Sequence, residues 1–254
     1  SGKNFLYFVE MARKQGIKTV YLGIDKVNRI FASSCDTTIV VSKLLAQNMK
    51  KCFLVFDGFE HSGKVYKKHN MKKRIKLVFV SNNVLPLFPK IKYLPKGVSL
   101  KIIGPPKRRF AKYFRGKKVF TETPYKYKYV EWNLNTIEKE ILNCDVGVIP
   151  YPNKQLNSEA IRRKSSNRLV MLMSYALPTI ASPHPEYLPL IEQGKNSFIA
   201  RTENEWIQCI EFLRDNPAER KKIGFRARAH VLKRYSLEMQ GKLYLNIFKE
   251  ILTN

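Results

Sequence analysis

The chain has 254 residues, of which 44% are hydrophobic and 12% aromatic, so its composition is that of a folded protein rather than of a disordered tail. It carries 47 Lys and Arg against 20 Asp and Glu, a formal net charge of +27. The sequence contains no run of about 18 apolar residues, so it predicts no membrane-spanning helix.

The cysteines and the first residues indicate the compartment. Cys35, Cys52, Cys144 and Cys209 lie far apart, without a CxxC pair or a nearby pair of His. They predict buried thiols in a reducing environment rather than a zinc site or a disulfide framework. The stretch 1–16 lacks the pattern of a signal peptide. We therefore expect a cytoplasmic protein.

Strand-like and helix-like apolar patterns alternate along the chain. The first block predicts a helix at 5–13, strands at 18–24, 36–42 and 52–56, and short helices between them. A stretch rich in Lys, His and Gly follows. The second block predicts strands at 76–80, 99–103, 118–121, 145–149 and 179–182, a strand or loop near 130–132, and helices at 133–143, 188–193, 203–216, 217–235 and 236–252. Such alternation predicts an α/β fold with doubly wound parallel sheets.

A polar loop precedes the apolar run after residue 168. It supplies Lys164, Ser165, Ser166, Asn167 and Arg168 at the start of a predicted helix. Hydroxyls, an amide and two cations at a helix N-terminus form a good receptor for a phosphate group. The alternative is that Ser166 or Asn167 only caps the helix while the cations lie in water. The pattern leaves both interpretations open.

The motifs around this loop resemble a known family. KSSNRL, ALPTIAS and LPLIEQGKNSFI follow one another from residue 164. Their order and spacing are similar to the donor-binding half of GT-B glycosyltransferases of group 1, the family 4-like set. That family usually has N-K/R-L-x-E, G-x-P-V-I-A-S and P-E-x-I-x-x-G-x-N-G. The resemblance is good over 74–254 and weaker before.

The resemblance implies a GT-B-like fold of two Rossmann-like domains with a nucleotide-sugar in the cleft between them. The first domain, at 1–66, is expected to be abbreviated, because such a domain normally needs about 100–150 residues; either it is naturally small or its start is missing. A linker at 67–75 follows, then the donor-binding domain at 76–235. A final helix at 236–254 would pack back on the first domain.

The resemblance also implies roles for individual residues. Those expected to bind the donor diphosphate are Lys164, Ser166, Asn167 and Arg168. Those expected to touch the sugar are His184, Pro185 and Glu186, although His184 alternatively belongs to an ordinary surface loop. Those expected to flank the nucleotide are Asn82, Asn83, Gly104, Trp132 and Glu159, although a Trp is more often a core residue. No catalytic nucleophile is identified.

The chain departs from the family at two glutamate positions. Ala160 stands where the earlier glutamate is expected, and Met171 where the later one commonly holds the ribose. Methionine is a weak acceptor for a hydroxyl, so the donor is recognised differently or not at all. Glu159, next to Ala160, is the candidate replacement for the first.

No DxD sequence suited to a metal is present. Because GT-B enzymes generally work without a metal, the resemblance implies a metal-independent reaction with no cofactor, and retaining chemistry.

The charge indicates a polyanionic partner. Basic clusters seek anionic lipids, nucleic acid or acidic glycans, and the alternating Tyr and Lys of 125–129 suit a membrane interface or stacking on bases. The alternative is a solvated basic face.

We expect a glycosyltransferase that acts on a glycan, a glycolipid or another polyanionic or membrane-associated acceptor, at the cytosolic membrane face. Two alternatives stay open: a GT-B-like binding protein that has lost catalysis, and a basic protein that binds or modifies nucleic acid.

Overall fold

The computed structural model describes residues 2–24, 26–47, 49, 51–59, 61, 63–81, 93–106, 126–151 and 156–253. Within these ranges the chain forms two sheets in which all the strands are parallel. The expected α/β class with parallel sheets is therefore confirmed. The expected strand at 118–121 lies outside the described residues.

The smaller sheet belongs to the first block and has the order β1-β2-β3. Its strands are β1 (Val20–Gly23), β2 (Thr37–Val40) and β3 (Cys52–Leu54). Helices α1 (Gly2–Lys14), α2 (Arg29–Ser34) and α3 (Lys43–Ala46) accompany them. The Asn28 and Ser42 side chains accept hydrogen bonds from the first turns of α2 and α3, which explains where these two short helices begin.

The larger sheet has the order β6-β5-β4-β7-β8-β9. Its strands are β4 (Ile75–Val80), β5 (Val98–Gly104), β6 (Tyr127–Glu131), β7 (Val146–Ile149), β8 (Thr179–Ala181) and β9 (Phe198–Ile199). The central strands are apolar and buried along their length because the sheet is covered on both faces.

Six helices follow the first strand of this sheet in the described part of the chain. They are α4 (Ile137–Leu142), α5 (Glu159–Arg162), α6 (Asn167–Ser174), α7 (Glu203–Asp215), α8 (Pro217–Tyr235) and α9 (Leu237–Thr253). Within the residues that the structure describes, none of the helices has the length and apolar character needed to span a bilayer.

One local expectation needs correction. Residues 188–190 form a turn and Gln193 forms a bridge with Ser197, rather than the expected helix. Residues 127–129 of the alternating Tyr and Lys stretch belong to strand β6, where Tyr127 and Tyr129 pack against the core of the sheet while Lys128 is exposed. The two rings share the side of the strand that faces the core, and a role of this stretch at a membrane or with bases stays a prediction.

The stretch at 67–75 is tightly held to the larger block. Lys67 Nζ lies 3.1 Å from an Asp145 carboxylate oxygen, and both side chains are more than nine-tenths buried. His69 Nε2 lies 2.9 Å from the Ala176 carbonyl oxygen. The buried Arg220 guanidinium donates to the carbonyl oxygens of Asn70 and Lys72. This stretch is therefore packed against the larger block rather than free.

The last helix returns to the first block. Ile247 and Ile251 of α9 pack with Ile39 of β2 and with Val55, which follows β3. Just before α9 begins, the carbonyl oxygen of Tyr235, the last residue of α8, accepts a hydrogen bond from the Phe59 amide. The two sheets are thus joined by the chain at residues 55–59 and by its last helix.

Two helical glycines provide a test of the packing. A Cβ at Gly224 in α8 would lie 2.1 Å from the Ala176 carbonyl oxygen, whereas a Cβ at Gly241 in α9 would have nothing within 4 Å. We expect Gly224→Ala to lower the free energy of unfolding by about 2 kcal/mol or more. Gly241→Ala should raise it by up to about 1 kcal/mol, since alanine favours a helix. Urea unfolding of both variants measures these changes in the free energy of unfolding. Equal changes in the two variants would contradict the close packing at Gly224.

Candidate functional site

A cleft of about 520 Å³ opens at the carboxyl end of β4. Residues of the larger block and of the segment that precedes it surround the cleft. The described residues that line it are Gly58, Phe59, His61, Val80, Ser81, Trp132, Leu134, Ile137, Glu138, Asn167, Arg168, Met171 and Tyr175. In open α/β folds this edge of the sheet is where ligands bind.

Helix α6 forms one wall of the cleft. Its other face is fully buried, with Leu169, Val170, Leu172 and Met173 all 0% exposed. Positions three or four apart share a face of a helix, so the remaining positions point together into the cleft. The residues on that side are Asn167, Arg168, Met171 and, just after the helix, Tyr175. The apolar run that predicted this helix therefore also determines its orientation.

Arg168 is the cation of the cleft wall. Its guanidinium carbon lies 5.8 Å from the centre of the Phe79 ring, and its Nη1 donates to the Tyr151 hydroxyl at 3.4 Å. The side chain is half-buried and Asn167 beside it is exposed. The guanidinium is thus held by an aromatic face and a hydroxyl, so its charge is available to an anionic ligand.

The loop before α6 is partly buried. Ser166 occupies the N-cap position, but its hydroxyl makes no capping hydrogen bond. That hydroxyl is buried and has no hydrogen-bond partner in the described part of the chain. Ser165 donates to an Asp57 carboxylate oxygen. Lys164 is half-buried and is not among the residues that line the cleft. The cap interpretation of the Ser166 side chain is therefore wrong.

Glu138 and Tyr175 face the other part of the cleft. Both residues line the cleft, and the Glu138 carboxylate lies close enough to the Tyr175 hydroxyl to act on its ionisation. Burial raises the pKa of Tyr175, and the negative charge of Glu138 raises it further. Tyr175 is thus a neutral donor at any physiological pH.

His61 lies against Tyr175. The two rings are stacked, with centroids 4.0 Å apart and planes at 9°. His61 Nδ1 accepts from the Gly63 amide, and Nε2 lies 2.6 Å from the Ser174 hydroxyl, which itself donates to the Met171 carbonyl. These contacts fit a neutral ring with its proton on Nε2. Burial, together with the charge of Arg228, lowers the pKa of His61 to about 4.

Trp132 and Gly104 lie at the carboxyl ends of β6 and β5. The Trp132 amide donates to the Gly104 carbonyl at 2.6 Å, and the half-buried indole both packs on the core and lines the cleft. Gly104 lies close to Ser81. A Cβ added at Gly104 would lie 3.1 Å from the Ser81 carbonyl oxygen. Asn82 and Asn83, the next residues, lie outside the described residues.

The residues expected at the sugar lie deeper in the fold. His184 is 0% exposed, with Nε2 at 2.8 Å from the Ile161 carbonyl and Nδ1 accepting from the Glu186 amide. Glu186 is also buried and accepts from the Lys43 amide at the start of α3, at 2.9 Å. Pro185 between them is exposed. None of the three lines the 520 Å³ cleft, and their sugar role stays a prediction.

Glu159 lies away from the 520 Å³ cleft. It begins α5, pairs with Arg163 and is exposed. Both residues line a smaller cleft of about 170 Å³, together with residues of the first block such as Arg29 and Gln47.

The structure thus brings together Asn167, Arg168 and Trp132 from the expected residues, and adds Glu138, Tyr175 and His61. No motif marks these additions. Tyr175 follows the recognised helix by one position, and its spacing of four from Met171 is the signal that could have found it. In the parts of the chain that the structure describes, no group of three or more His, Cys, Asp or Glu is arranged to hold a metal ion.

The comparison with protein families identifies the chain. Residues 87–245 match the family described as glycosyl transferase-like, and this chain belongs to that family. The expected resemblance is confirmed. No curated protein matches the chain in sequence.

Solved structures show the same fold. HepE of Anabaena in complex with UDP-glucose is similar with a TM-score of 0.68 at 12% identity, over 98% of this chain and 77% of that one. TarM is similar with a TM-score of 0.62 at 15% identity, over 91% of this chain, which spans 50% of TarM. The lipopolysaccharide outer core galactosyltransferase WaaB is similar with a TM-score of 0.60 at 14% identity, over 98% of this chain and 74% of WaaB. The GT-B fold class is thereby confirmed.

The neutral His61 predicts acid sensitivity. Its pKa is about 4 in the folded protein against an ordinary value of 6.5, so the unfolded chain binds more protons between these pH values. Its contribution to stability is complete above pH 6.5 and is lost as the pH falls towards 4. In urea unfolding, the free energy of unfolding of His61→Gln should therefore fall less than that of the wild type between pH 7 and pH 4.5. Parallel pH profiles would contradict a buried neutral His61.

Proposed function

We propose that this protein is a glycosyltransferase that binds a nucleotide-sugar with its diphosphate at the N-terminus of α6. The observation that carries the proposal is the position of Arg168 and Asn167, which face a ligand-sized cleft from the first turn of a helix whose N-cap side chain makes no capping bond. The partial positive charge of a helix N-terminus favours a phosphate there.

These groups suit the chemistry of glycosyl transfer. As the bond to the sugar breaks, negative charge develops on the departing diphosphate. Fixed donors aimed at that charge lower the barrier, and Arg168 is fixed by Phe79 and Tyr151. The buried Ser166 hydroxyl, without a partner among the described residues, is a further donor for the phosphates, and Lys164 in the same loop adds positive charge. We infer that these groups replace a metal and that the reaction is retaining.

The donor is proposed to be a UDP-sugar. HepE is known in complex with UDP-glucose and the chain shares its fold over 98% of its length. The half-buried Trp132 at the edge of the cleft offers an aromatic face for the base.

The acceptor is proposed to be anionic or membrane-associated, at the cytosolic face of a membrane. A net charge of +27 raises the local concentration of polyanions at the protein surface. WaaB, a lipopolysaccharide galactosyltransferase, shares the fold, which supports a glycolipid or another glycan as the acceptor class.

A binding protein without catalysis is the second candidate, and Met171 favours it. Its thioether lines the cleft where the family commonly has a glutamate. Release of UDP from a bound UDP-sugar separates the candidates: a transferase releases UDP when an acceptor glycolipid is added, whereas a binding protein holds the donor without turnover.

The donor site is tested by calorimetric titration with UDP-, GDP-, ADP-, CMP- and dTDP-sugars. We expect saturable binding of the UDP class and a loss of about 10- to 100-fold in affinity in Arg168→Ala, because a charged hydrogen bond to phosphate is removed. The matched control is Arg226→Ala, which removes an exposed arginine of α8 that does not line the cleft. Equal losses in both variants, or no binding by folded protein, would refute the proposed site.

A further inference from the structure

The positive charge of the chain is unevenly distributed. The sequence contains no Asp or Glu from residue 61 to residue 121. The part of this stretch that follows the cleft-lining His61 exposes a series of cations, which are Lys64, Lys68, Lys72, Lys73 and Arg74. Helix α8 adds further cations, and Glu219 is the only acidic residue in its sequence. The described residues that line the 520 Å³ cleft include none from 63–74 or from α8, so these charges lie outside the proposed donor site.

Residues 63–72 lie along α8 and run in the opposite direction to it. Near the end of the helix, the Arg228 guanidinium donates to the Gly63 carbonyl oxygen. Near its start, the buried Arg220 guanidinium donates to the Asn70 carbonyl oxygen at 2.9 Å. The stretch and the helix are therefore fixed to each other at both ends and form one continuous surface.

Two exposed aromatic rings lie among the lysines of this surface. Tyr66 is 43% exposed and Phe225 is 36% exposed, and their ring centroids are 5.7 Å apart. The Arg228 guanidinium carbon lies 4.8 Å from the centre of the Tyr66 ring, so one face of that ring is already covered. We use the name α8 surface for six exposed side chains of the stretch and the helix, which are Tyr66, Lys68, Met71, Lys72, Lys221 and Phe225.

Lysines mixed with exposed apolar side chains suit the interface of an anionic membrane. The ammonium groups are attracted by negatively charged headgroups, while aromatic and other apolar side chains enter the boundary beneath the headgroups. A nucleic acid base would need a free ring face for stacking, and Arg228 covers one face of Tyr66. A second copy of the chain would bring two net charges of +27 together. The charge and the apolar content of the α8 surface thus favour a lipid surface over both.

The α8 surface begins close to the cleft. Tyr66 follows the cleft-lining His61 by five residues, so their Cα atoms are at most about 18 Å apart. We propose that the α8 surface binds the anionic headgroups of a membrane and thereby holds the cleft next to a lipid-linked acceptor. The inference rests on the proposed function for the membrane-associated acceptor, and it is independent of how the donor binds.

The experiment measures the sedimentation of the full chain with vesicles of phosphatidylcholine alone, and of phosphatidylcholine with about 30% phosphatidylglycerol. We expect the wild type to bind the anionic vesicles only. Each lysine at the surface contributes about 5-fold to the partition, so removal of three should weaken it about 100-fold. The variant that tests this is the triple Lys68→Gln/Lys72→Gln/Lys221→Gln.

A second triple variant controls for total charge. Lys18→Gln/Lys139→Gln/Lys249→Gln removes the same charge from exposed positions outside the α8 surface and should weaken the partition far less. Equal losses in the two triple variants would overturn the inference, because the net charge alone would then govern binding. Equal binding of the wild type to neutral and anionic vesicles would overturn it as well.

A change without charge tests the apolar part of the α8 surface. Phe225→Ser should lower the partition into anionic vesicles about 5-fold, because the exposed part of the ring no longer leaves water. Phe8 is the matched control, since it is 68% exposed in α1, and Phe8→Ser should leave the partition unchanged. A loss in Phe8→Ser but not in Phe225→Ser would assign the docking to α1 and overturn the inference.

Titration with UDP-glucose and urea unfolding keep the outcomes distinct. The Lys68→Gln/Lys72→Gln/Lys221→Gln variant should match the wild type in both, because its three lysines do not line the cleft. A wild type that binds UDP-glucose but no vesicles overturns the inference and leaves the donor site standing. A triple variant that loses affinity for a DNA duplex but not for vesicles also overturns it, since the surface would then serve nucleic acid. If no nucleotide-sugar binds, the donor site is refuted and the vesicle comparison still decides the inference.

Discussion

Burial of one face of the helix Asn167–Ser174 is the constraint on which the cleft depends. Leu169, Val170, Leu172 and Met173 are all fully buried, and each contributes about 1.5–3 kcal/mol by leaving water. A rotation of this helix would expose some of them, so its opposite face is fixed as well. Its N-terminal positions then meet the carboxyl ends of the strands, where a ligand can reach them.

The opposite wall depends on the segment between the two sheets. Phe59 is buried, and its amide donates a hydrogen bond to the carbonyl oxygen of Tyr235, the last residue of α8. The Asp57 carboxylate accepts a hydrogen bond from the Ser165 hydroxyl. His61 continues this segment and stacks on Tyr175. The loop that carries the phosphate-binding candidates is thus tied to the chain that joins the blocks.

Much of the fold could be predicted from the sequence because apolar patterns of strand and helix are local. The strands at 75–80, 98–104 and 146–149 lie where the alternation placed them. The stretch at 188–193 was assigned wrongly as a helix, because Leu190 is buried by a turn while Leu188 stays exposed. Local periodicity does not distinguish a short helix from a packed series of turns when tertiary contacts bury the same residues.

The site was predictable where a motif carries it, and at Trp132, which the resemblance placed beside the nucleotide. Asn167 and Arg168 belong to a recognised motif and lie in the cleft, whereas His184 and Glu186 belong to another and are buried in contacts of the fold. Glu138 and His61 carry no local signal, because they approach α6 only when segments about thirty or more positions apart have packed. Burial and hydrogen bonding between segments distant in sequence determine where such residues lie, so short stretches of sequence do not predict them.

The central claim is that a nucleotide diphosphate binds at the N-terminus of α6, and a crystal structure of the chain with UDP tests it most directly. The account predicts phosphate oxygens within about 3 Å of Arg168 and of the amide groups of the first turn. Nucleotide density in the smaller cleft beside Glu159 and Arg163, with no phosphate at α6, would contradict it.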